Sequence, residues 1–293
     1  MRALKHKSSK QHRARCQSSS SSRAIILGGA DRPLLRPVTS TEGDWRSYYE
    51  AKAQAFDELA ATYESKVPLA RVFYAARHDA VAEALSTHRG HVALDLGCGS
   101  GVYLEVLGKI CERVTALDLA GAYVRQALAQ HPAADGVQGS ATSLPFRAES
   151  FDVVLATEVI EHLVRPTVLL DEVQRVLRPG GVAVLTTPNP LTPHDLLYRV
   201  KRRVRGFDVD EHPGLMLPWV LSHEIRRRGF VEERRATCNF VYPYPLGELL
   251  GRLPNQPGVA RVSQRLEQTA QHTPAVRRLG WTQIRTLRKK PLS

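Results

Sequence analysis

The chain has 293 residues, is 43% apolar and 24% charged, and carries a formal charge of +12, long enough for one large domain or two small ones. No run approaches the roughly 18 consecutive apolar residues of a membrane-spanning helix, which excludes a helical membrane protein and predicts a soluble one. Residues 1–40 hold nine Lys/Arg against one acid and residues 270–293 six against none, leaving the body between them near neutral at −2; the basic excess argues for tail contacts or plain solubility and against a nucleic-acid face built into the fold.

In chain order, residues 1–43 open with MRALKHKSSKQHRARCQSSSSSR, rich in serine and arginine, poor in acids and without an apolar h-region, so they do not read as a secretory signal. An organellar transit peptide shares that composition, as does a disordered or mis-assigned start in a GC-rich bacterial gene. Ordered structure is expected only from about residue 44. From Asp44 to Ser86 apolar residues, among them Tyr48, Tyr49, Phe56, Leu59, Val72, Phe73 and Leu85, recur at three- and four-residue spacing around Pro68. That predicts two or three amphipathic helices within 44–90.

After Gly90 short apolar runs alternate with helical stretches: HVALDL, Val102–Ile110, RVTALDL, Ala122–Ala129, Phe151–Ala156, Thr167–Leu177, a turn at Pro179-Gly180-Gly181, and Val182–Thr186. Strands alternating with helices predict parallel pairing with helices on both faces, a doubly wound α/β core over 91–190. Residues 191–228 read as a lid or substrate segment, with a helix including Leu196, Leu197, Val200 and Val204 and a second at Pro218–Arg228. Residues 229–293 read as two final strands, Phe230–Val241 and Trp281–Arg288, separated by a helical insertion, although Trp281–Arg288 does not alternate cleanly. The cysteines Cys16, Cys98, Cys111 and Cys238 form no CxxC pair, which predicts reduced thiols in a cytoplasmic protein.

The segment Val92–Gly101 is a buried strand running into a glycine-rich turn that opens a helix. Residues without Cβ let backbone and ligand approach closely, and a helix N-terminus supplies free N–H groups. The dinucleotide fingerprint GxGxxG would need a third glycine at Val102, and there is none. The pattern here is GxGxG, with Asp95 two residues before the first glycine and Asp118 at the end of the next strand, where a carboxylate can accept both hydroxyls of a ribose. A nucleoside without a pyrophosphate is indicated, and a nicotinamide-dependent reductase is disfavoured.

Over roughly residues 45–290, and most strongly from Val92 to Pro188, the chain resembles the class I S-adenosylmethionine-dependent methyltransferases of the type 11 group. The segments LDLGCGSG, GSATSLPF, SFDVVLATEVIEHL and RVLRPGGVAVLTTPNP carry the resemblance. It implies a Rossmann-like, seven-stranded, mostly parallel sheet with N-terminal helices and a lid. It also implies that Asp95, Gly97, Cys98, Gly99 and Gly101 hold the methionine part of the cofactor, that Asp118 binds the ribose, and that Leu119 stacks near the adenine, with Thr157 completing the wall. Where the family has an aspartate for the adenine amine this chain has Ser140, so that contact is weakened or passes to the Ala141 backbone.

Glu158, Glu161 and His162 stand at i, i+3 and i+4, a spacing that gathers three side chains on one helix face at the carboxyl end of the sheet. Two carboxylates and an imidazole suit a divalent ion such as Mg²⁺, Mn²⁺ or Zn²⁺, with His212 as a fourth ligand. Alternatively the glutamates merely favour a helix's first turn while His162, with Glu158, serves acid–base catalysis. The ExxEH spacing is similar to that of the ubiquinone-biosynthesis O-methyltransferases and the small-RNA 2′-O-methyltransferases. The basic residues Arg199, Lys201, Arg202, Arg203 and Arg205 around the 196–204 helix suit either a solvated face or peripheral contact with an anionic membrane.

The expected function is transfer of a methyl group from S-adenosylmethionine to a small-molecule acceptor, with a hydroxyl as the best candidate. The competing readings are a metal-dependent RNA methyltransferase and a non-catalytic relative that keeps the cofactor pocket. The near-neutral body and the lack of a recognisable RNA-binding module weigh against nucleic acid.

Overall fold

The computed structural model describes residues 42–55, 68–192, 195, 212–241, 256–274 and 276–291. The expectations for the N-terminal tail before residue 42, for the basic helix at 196–205 and for any membrane contact made through it lie outside the described residues.

Seven strands form one sheet: β1 (Gly90–Leu96), β2 (Cys111–Asp118), β3 (Asp135–Gln138), β4 (Phe151–Thr157), β5 (Leu177–Pro188), β6 (Phe230–Cys238) and β7 (Thr282–Lys289). Their order is β3-β2-β1-β4-β5-β7-β6, with β7 inserted antiparallel between β5 and β6 and the other pairings parallel. The described helices are α1 (Glu42–Ala55), α2 (Pro68–Leu85), α3 (Leu104–Gly108), α4 (Gly121–Gln130), α5 (Pro166–Val176), α6 (Pro218–Arg227) and α7 (Pro257–His272). None is long and apolar enough to cross a membrane.

The side-chain alternation of β1 and β4 divides the core in two. Ala93, Val153 and Leu155 face a layer with Val81 and Leu85 of α2, Leu104 and Leu107 of α3 and Ala127 of α4. Leu94, Leu96, Val154 and Ala156 face the other layer, with Leu169, Leu170 and Val173 of α5 and Leu221 and Ile225 of α6. Burying both faces is the signature of a parallel α/β sheet, and it explains the continuous apolar runs.

Three elements differ from the sequence expectation. β3 has only four residues, at the sheet edge and largely exposed, so it left no apolar run to read. β5 starts at Leu177, directly after α5, and passes through the Pro179-Gly180-Gly181 bend, where Gly180 has φ +78°. The third concerns Glu158–His162: Glu158 is not helical. It follows β4 with φ +54°, and a single 3-10 turn, Ile160–His162, comes after it.

The chain reverses direction across the sheet between β1 and β4. The register sets Leu96 beside Leu117, Asp118 beside Gln138 and Thr157 beside Thr186. The loops that follow β1, β2, β3 and β4 therefore emerge together at one edge, at the switch point where open α/β sheets bind ligands.

Candidate active site

A cavity of about 700 Å³ opens at this edge. Gly97, Cys98 and Gly99 line it from the β1 loop, Asp118 and Leu119 from the end of β2, Ser140 and Ala141 from beyond β3, and Thr157, Glu158, Glu161 and His162 from the end of β4. His212 joins them from the segment before α6, while Trp45 and Tyr49 of α1, Phe73, Tyr74 and Arg77 of α2, and Trp281 before β7 complete the wall.

The glycine loop is built as its sequence demands. Gly97, Gly99 and Gly101 have φ values of +75°, +51° and +91°, a region that favours residues without a Cβ. A Cβ on Gly97 would also overlap the Val159 side chain, which rises from the β4 loop. The turn is pinned from below: Asp118 accepts the Gly99 N–H at 3.0 Å through Oδ2 and the Ala120 N–H at 2.9 Å through Oδ1. Each carboxylate oxygen retains a further lone pair. Burial pushes the Asp118 carboxyl above its ordinary range, outweighing the backbone N–H groups that favour its charge.

Asp95 and Gly101 do not reach the cavity wall. Asp95 is buried at the end of β1 with neither carboxylate oxygen hydrogen-bonded among the described residues, and burial, then the nearby Asp118 charge, raises its pKa to about 7. A buried carboxylate beside a second one is costly unless a cation or donor arrives. A cationic ligand in the adjoining cavity would meet that need, and the glycine turn and the free lone pairs of Asp118 leave room and acceptors for one that carries hydroxyls. Cys98 lines the cavity as a buried thiol whose pKa burial raises, so it is no nucleophile at neutral pH. Cys98, Cys111 and Cys238 are all free. Ser140 caps its own turn: its Oγ accepts the Thr142 N–H at 3.2 Å and lies 2.8 Å from Thr142 Oγ1.

The acid–imidazole cluster forms without the helix that the spacing suggested. Glu161, His162 and His212 place ligand atoms within 4.8 Å of one another. Glu161 is buried, its Oε2 has no hydrogen-bond partner among the described residues, and burial followed by the Glu158 charge holds its pKa well above the carboxylate range. His162 Nε2 lies 4.0 Å from Glu161 Oε1, and the His162 and His212 ring centroids are 5.1 Å apart. The His212 segment is docked here because the Gly214 N–H donates to the Glu161 carbonyl at 2.9 Å.

Glu158 stands apart from this group. Its left-handed backbone turns the side chain toward Thr186, whose hydroxyl donates to Oε1 at 2.8 Å, and toward Arg77, whose Nη1 lies 3.4 Å from Oε2. Among the described residues the group with ligand atoms close together is therefore Glu161, His162 and His212, with Glu158 engaged by Thr186 and Arg77 instead.

Sequence reasoning missed Arg77, although a signal exists. The buried positions of α2 run Leu69, Phe73, Arg77, Val81, Leu85, so a cation occupies a core position of an otherwise apolar stripe. Trp45, Tyr49 and Lys52, at i, i+4 and i+7 of α1, likewise face the cavity.

A protein-family model described as a methyltransferase domain matches residues 94–185. A malonyl-[acyl-carrier protein] O-methyltransferase of Erwinia billingiae is 30% identical over 189 residues, covering 62% of this chain and 74% of that protein. A ubiquinone biosynthesis O-methyltransferase of Caulobacter vibrioides is 36% identical over 120 residues, 39% of this chain and 47% of that one. The chain spans less than half the length of several other curated relatives, 30% and 46% of two of them. Among solved folds, an N-methyltransferase of Bradyrhizobium japonicum in complex with S-adenosyl-L-homocysteine superposes with a TM-score of 0.53 at 16% identity, covering 82% of this chain and 96% of that one.

Proposed function

The chain belongs to the S-adenosylmethionine-dependent methyltransferases of the type 11 family, and on that premise we propose that it methylates a hydroxyl of a small-molecule acceptor. The observation that carries this reading is the cavity at the switch point, with the glycine loop and Asp118 on one part of its wall and the His162 cluster on another. Its volume of about 700 Å³ suits a nucleoside cofactor and a small acceptor together, since drug-sized ligands occupy roughly 300–1,000 Å³. Relatives named as O-methyltransferases support oxygen as the methylated atom.

When bound, the cofactor supplies an electrophilic sulfonium methyl. The protein's work is then positioning and proton removal. Asp118 would accept the ribose hydroxyls, Leu119, Ala141 and Ser140 would border the adenine, and the Gly97–Gly99 backbone would admit the methionine part. The aromatic side chains Phe73, Tyr74 and Trp281 exclude water from the acceptor. His162 takes the acceptor's proton: a phenol of pKa about 10 needs modest help from an imidazole base.

The gathering of Glu161, His162 and His212 favours a second reading of the same site, in which these three hold a divalent cation that lowers the acceptor's pKa. Two measurements test both. Calorimetry with S-adenosylhomocysteine detects binding if the cofactor assignment holds, and silence at millimolar concentration sinks it. Transfer of labelled methyl to a panel of phenols and aliphatic alcohols, with and without chelator, separates the two. Activity that survives chelation, and survives Glu161→Gln but not His162→Ala, leaves the imidazole base and removes the metal.

A further inference from the structure

The helix α4 begins without a cap of its own. Its N-cap residue is Ala120, which has no side-chain oxygen to accept the first N–H groups. Those groups are covered from elsewhere in the chain. Glu50 of α1 accepts the Gly121 N–H at 2.7 Å through Oε1 and the Ala122 N–H at 3.1 Å through Oε2. The Gln138 amide donates both to Glu50 Oε1 and to the Leu119 carbonyl, each at 3.1 Å.

The five residues 118–122 thus form one turn held by two carboxylates. Asp118 takes the Ala120 N–H, and Glu50 takes the next two. This turn presents the proposed ribose acid and the adenine neighbour Leu119. On the same helix, Trp45, Tyr49 and Lys52 line the cavity, and the Tyr49 ring meets His162 edge-on at a centroid distance of 6.2 Å. α1 is also held by Ala53, which packs on Ala120, Ala122 and Tyr123 and whose carbonyl accepts the Gln126 amide at 2.8 Å, and by Tyr49, which packs against the same cluster.

We propose that Glu50 is a positioning residue that latches α1 over the cofactor cavity and thereby sets the rate of cofactor exchange. The proposal rests on the reading that this cavity holds an adenosyl cofactor. Glu50 and Asp118 hold the same turn, so displacing α1 uncovers the Gly121 and Ala122 N–H groups that shape the turn presenting Asp118, and cofactor binding and α1 docking are linked through it. Opening of α1 is the step that admits and releases the cofactor, in the manner of other closing elements over active sites.

The experiment follows Trp45 and Trp281, both on the cavity wall, by stopped-flow fluorescence during release of S-adenosylhomocysteine from the full chain. Glu50→Ala is expected to release it at least about tenfold faster and to bind it correspondingly more weakly in calorimetry. Glu50→Gln, which keeps an oxygen acceptor, is expected to fall between. Release at the wild-type rate from Glu50→Ala, even with a lower melting temperature, overturns the proposal and leaves a plain helix cap. If Glu50→Ala does not fold, Glu50→Gln and Gln126→Ala decide in the same way, unaltered release from both counting against the latch. Wild-type protein that binds no S-adenosylhomocysteine at 1 mM fails differently, by removing the cofactor reading itself and the latch with it.

Discussion

Two aspartates at neighbouring strand ends do different work because their surroundings differ. Asp118 reaches the cavity and accepts two backbone N–H groups, so its carboxylate is aimed and partly compensated. Two hydroxyl donors to an ionised acceptor are together worth about 3 kcal/mol, and Asp118→Ala is expected to weaken cofactor binding about a hundredfold with the circular dichroism spectrum unchanged. Equal affinity in calorimetry contradicts the ribose assignment. Asp95, buried and unpaired, has a folded pKa of about 7, above its unfolded value. Its protonated form is therefore favoured in the folded apoprotein. The contribution of Asp95 to stability is therefore largest below its unfolded pKa near 4, falls as pH rises, and levels off above about 7. Between pH 5 and 8 the apoprotein is expected to lose denaturation free energy, up to about 4 kcal/mol over the full span of roughly three pKa units at 1.36 kcal/mol each, while Asp95→Asn shows a flatter profile. A cationic cofactor reverses the preference, so its affinity is expected to rise across the same window. Parallel slopes for the two proteins would contradict the link to Asp95.

At the scale of elements, legibility followed burial. The strands β1, β2 and β4 announced themselves because both faces are covered and their runs are continuously apolar. β7 was read as a final strand at Trp281–Arg288 but without a clean alternation, although it is as deeply buried, since Gln283, Arg285 and Lys289 sit inside it. Their cationic ends find distant partners that no local pattern shows: Arg285 pairs with Glu232 of β6 at 2.8 Å, and Lys289 donates to the Leu177 carbonyl at 2.8 Å. The acid–imidazole cluster was half legible for a related reason. Glu161, His162 and His212 do gather, but the i, i+3, i+4 spacing does not act as a helix across Glu158, whose positive φ breaks the helix before it starts. Glu50 carried no local signal, because its partners lie about seventy residues away. The buried pair makes a direct prediction. Arg285→Ala removes the buried partner of Glu232 and leaves it the more exposed Arg235 and Arg226, so the loss is expected to stay below the roughly 3–5 kcal/mol of a fully orphaned buried charge. Replacing both partners by well-packed apolar residues is expected to recover most of that loss in urea denaturation. A single variant as stable as wild type would show that the pair is not needed to place β7 between β5 and β6.

The whole molecule divides its labour at the β1/β4 boundary. The β1–β2–β3 half contributes the glycine loop, Asp118 and the Ser140 turn. The β4–β5–β7 half contributes Glu158, Glu161, His162 and Trp281, and α1 and α2 add wall residues to the shared cavity. The proposed cofactor and acceptor residues therefore sit on different strands but line one space, and ligand-linked stability can separate them. A ligand that binds only the folded state at a hundred times its Kd adds about 2.7 kcal/mol, which for a domain of this size raises Tm by roughly 5–10 °C. S-adenosylhomocysteine is expected to produce that shift in wild type and to lose most of it in Asp118→Ala. Zn²⁺ or Mn²⁺ held by Glu161, His162 and His212 is expected to raise Tm in Asp118→Ala as in wild type, and to do nothing in Glu161→Gln. Metal shifts that vanish in Asp118→Ala, or that persist in Glu161→Gln, place the ion elsewhere. In that case proton removal falls to His162 alone, and the acceptor must be acidic enough, near the phenol range, for an imidazole to suffice.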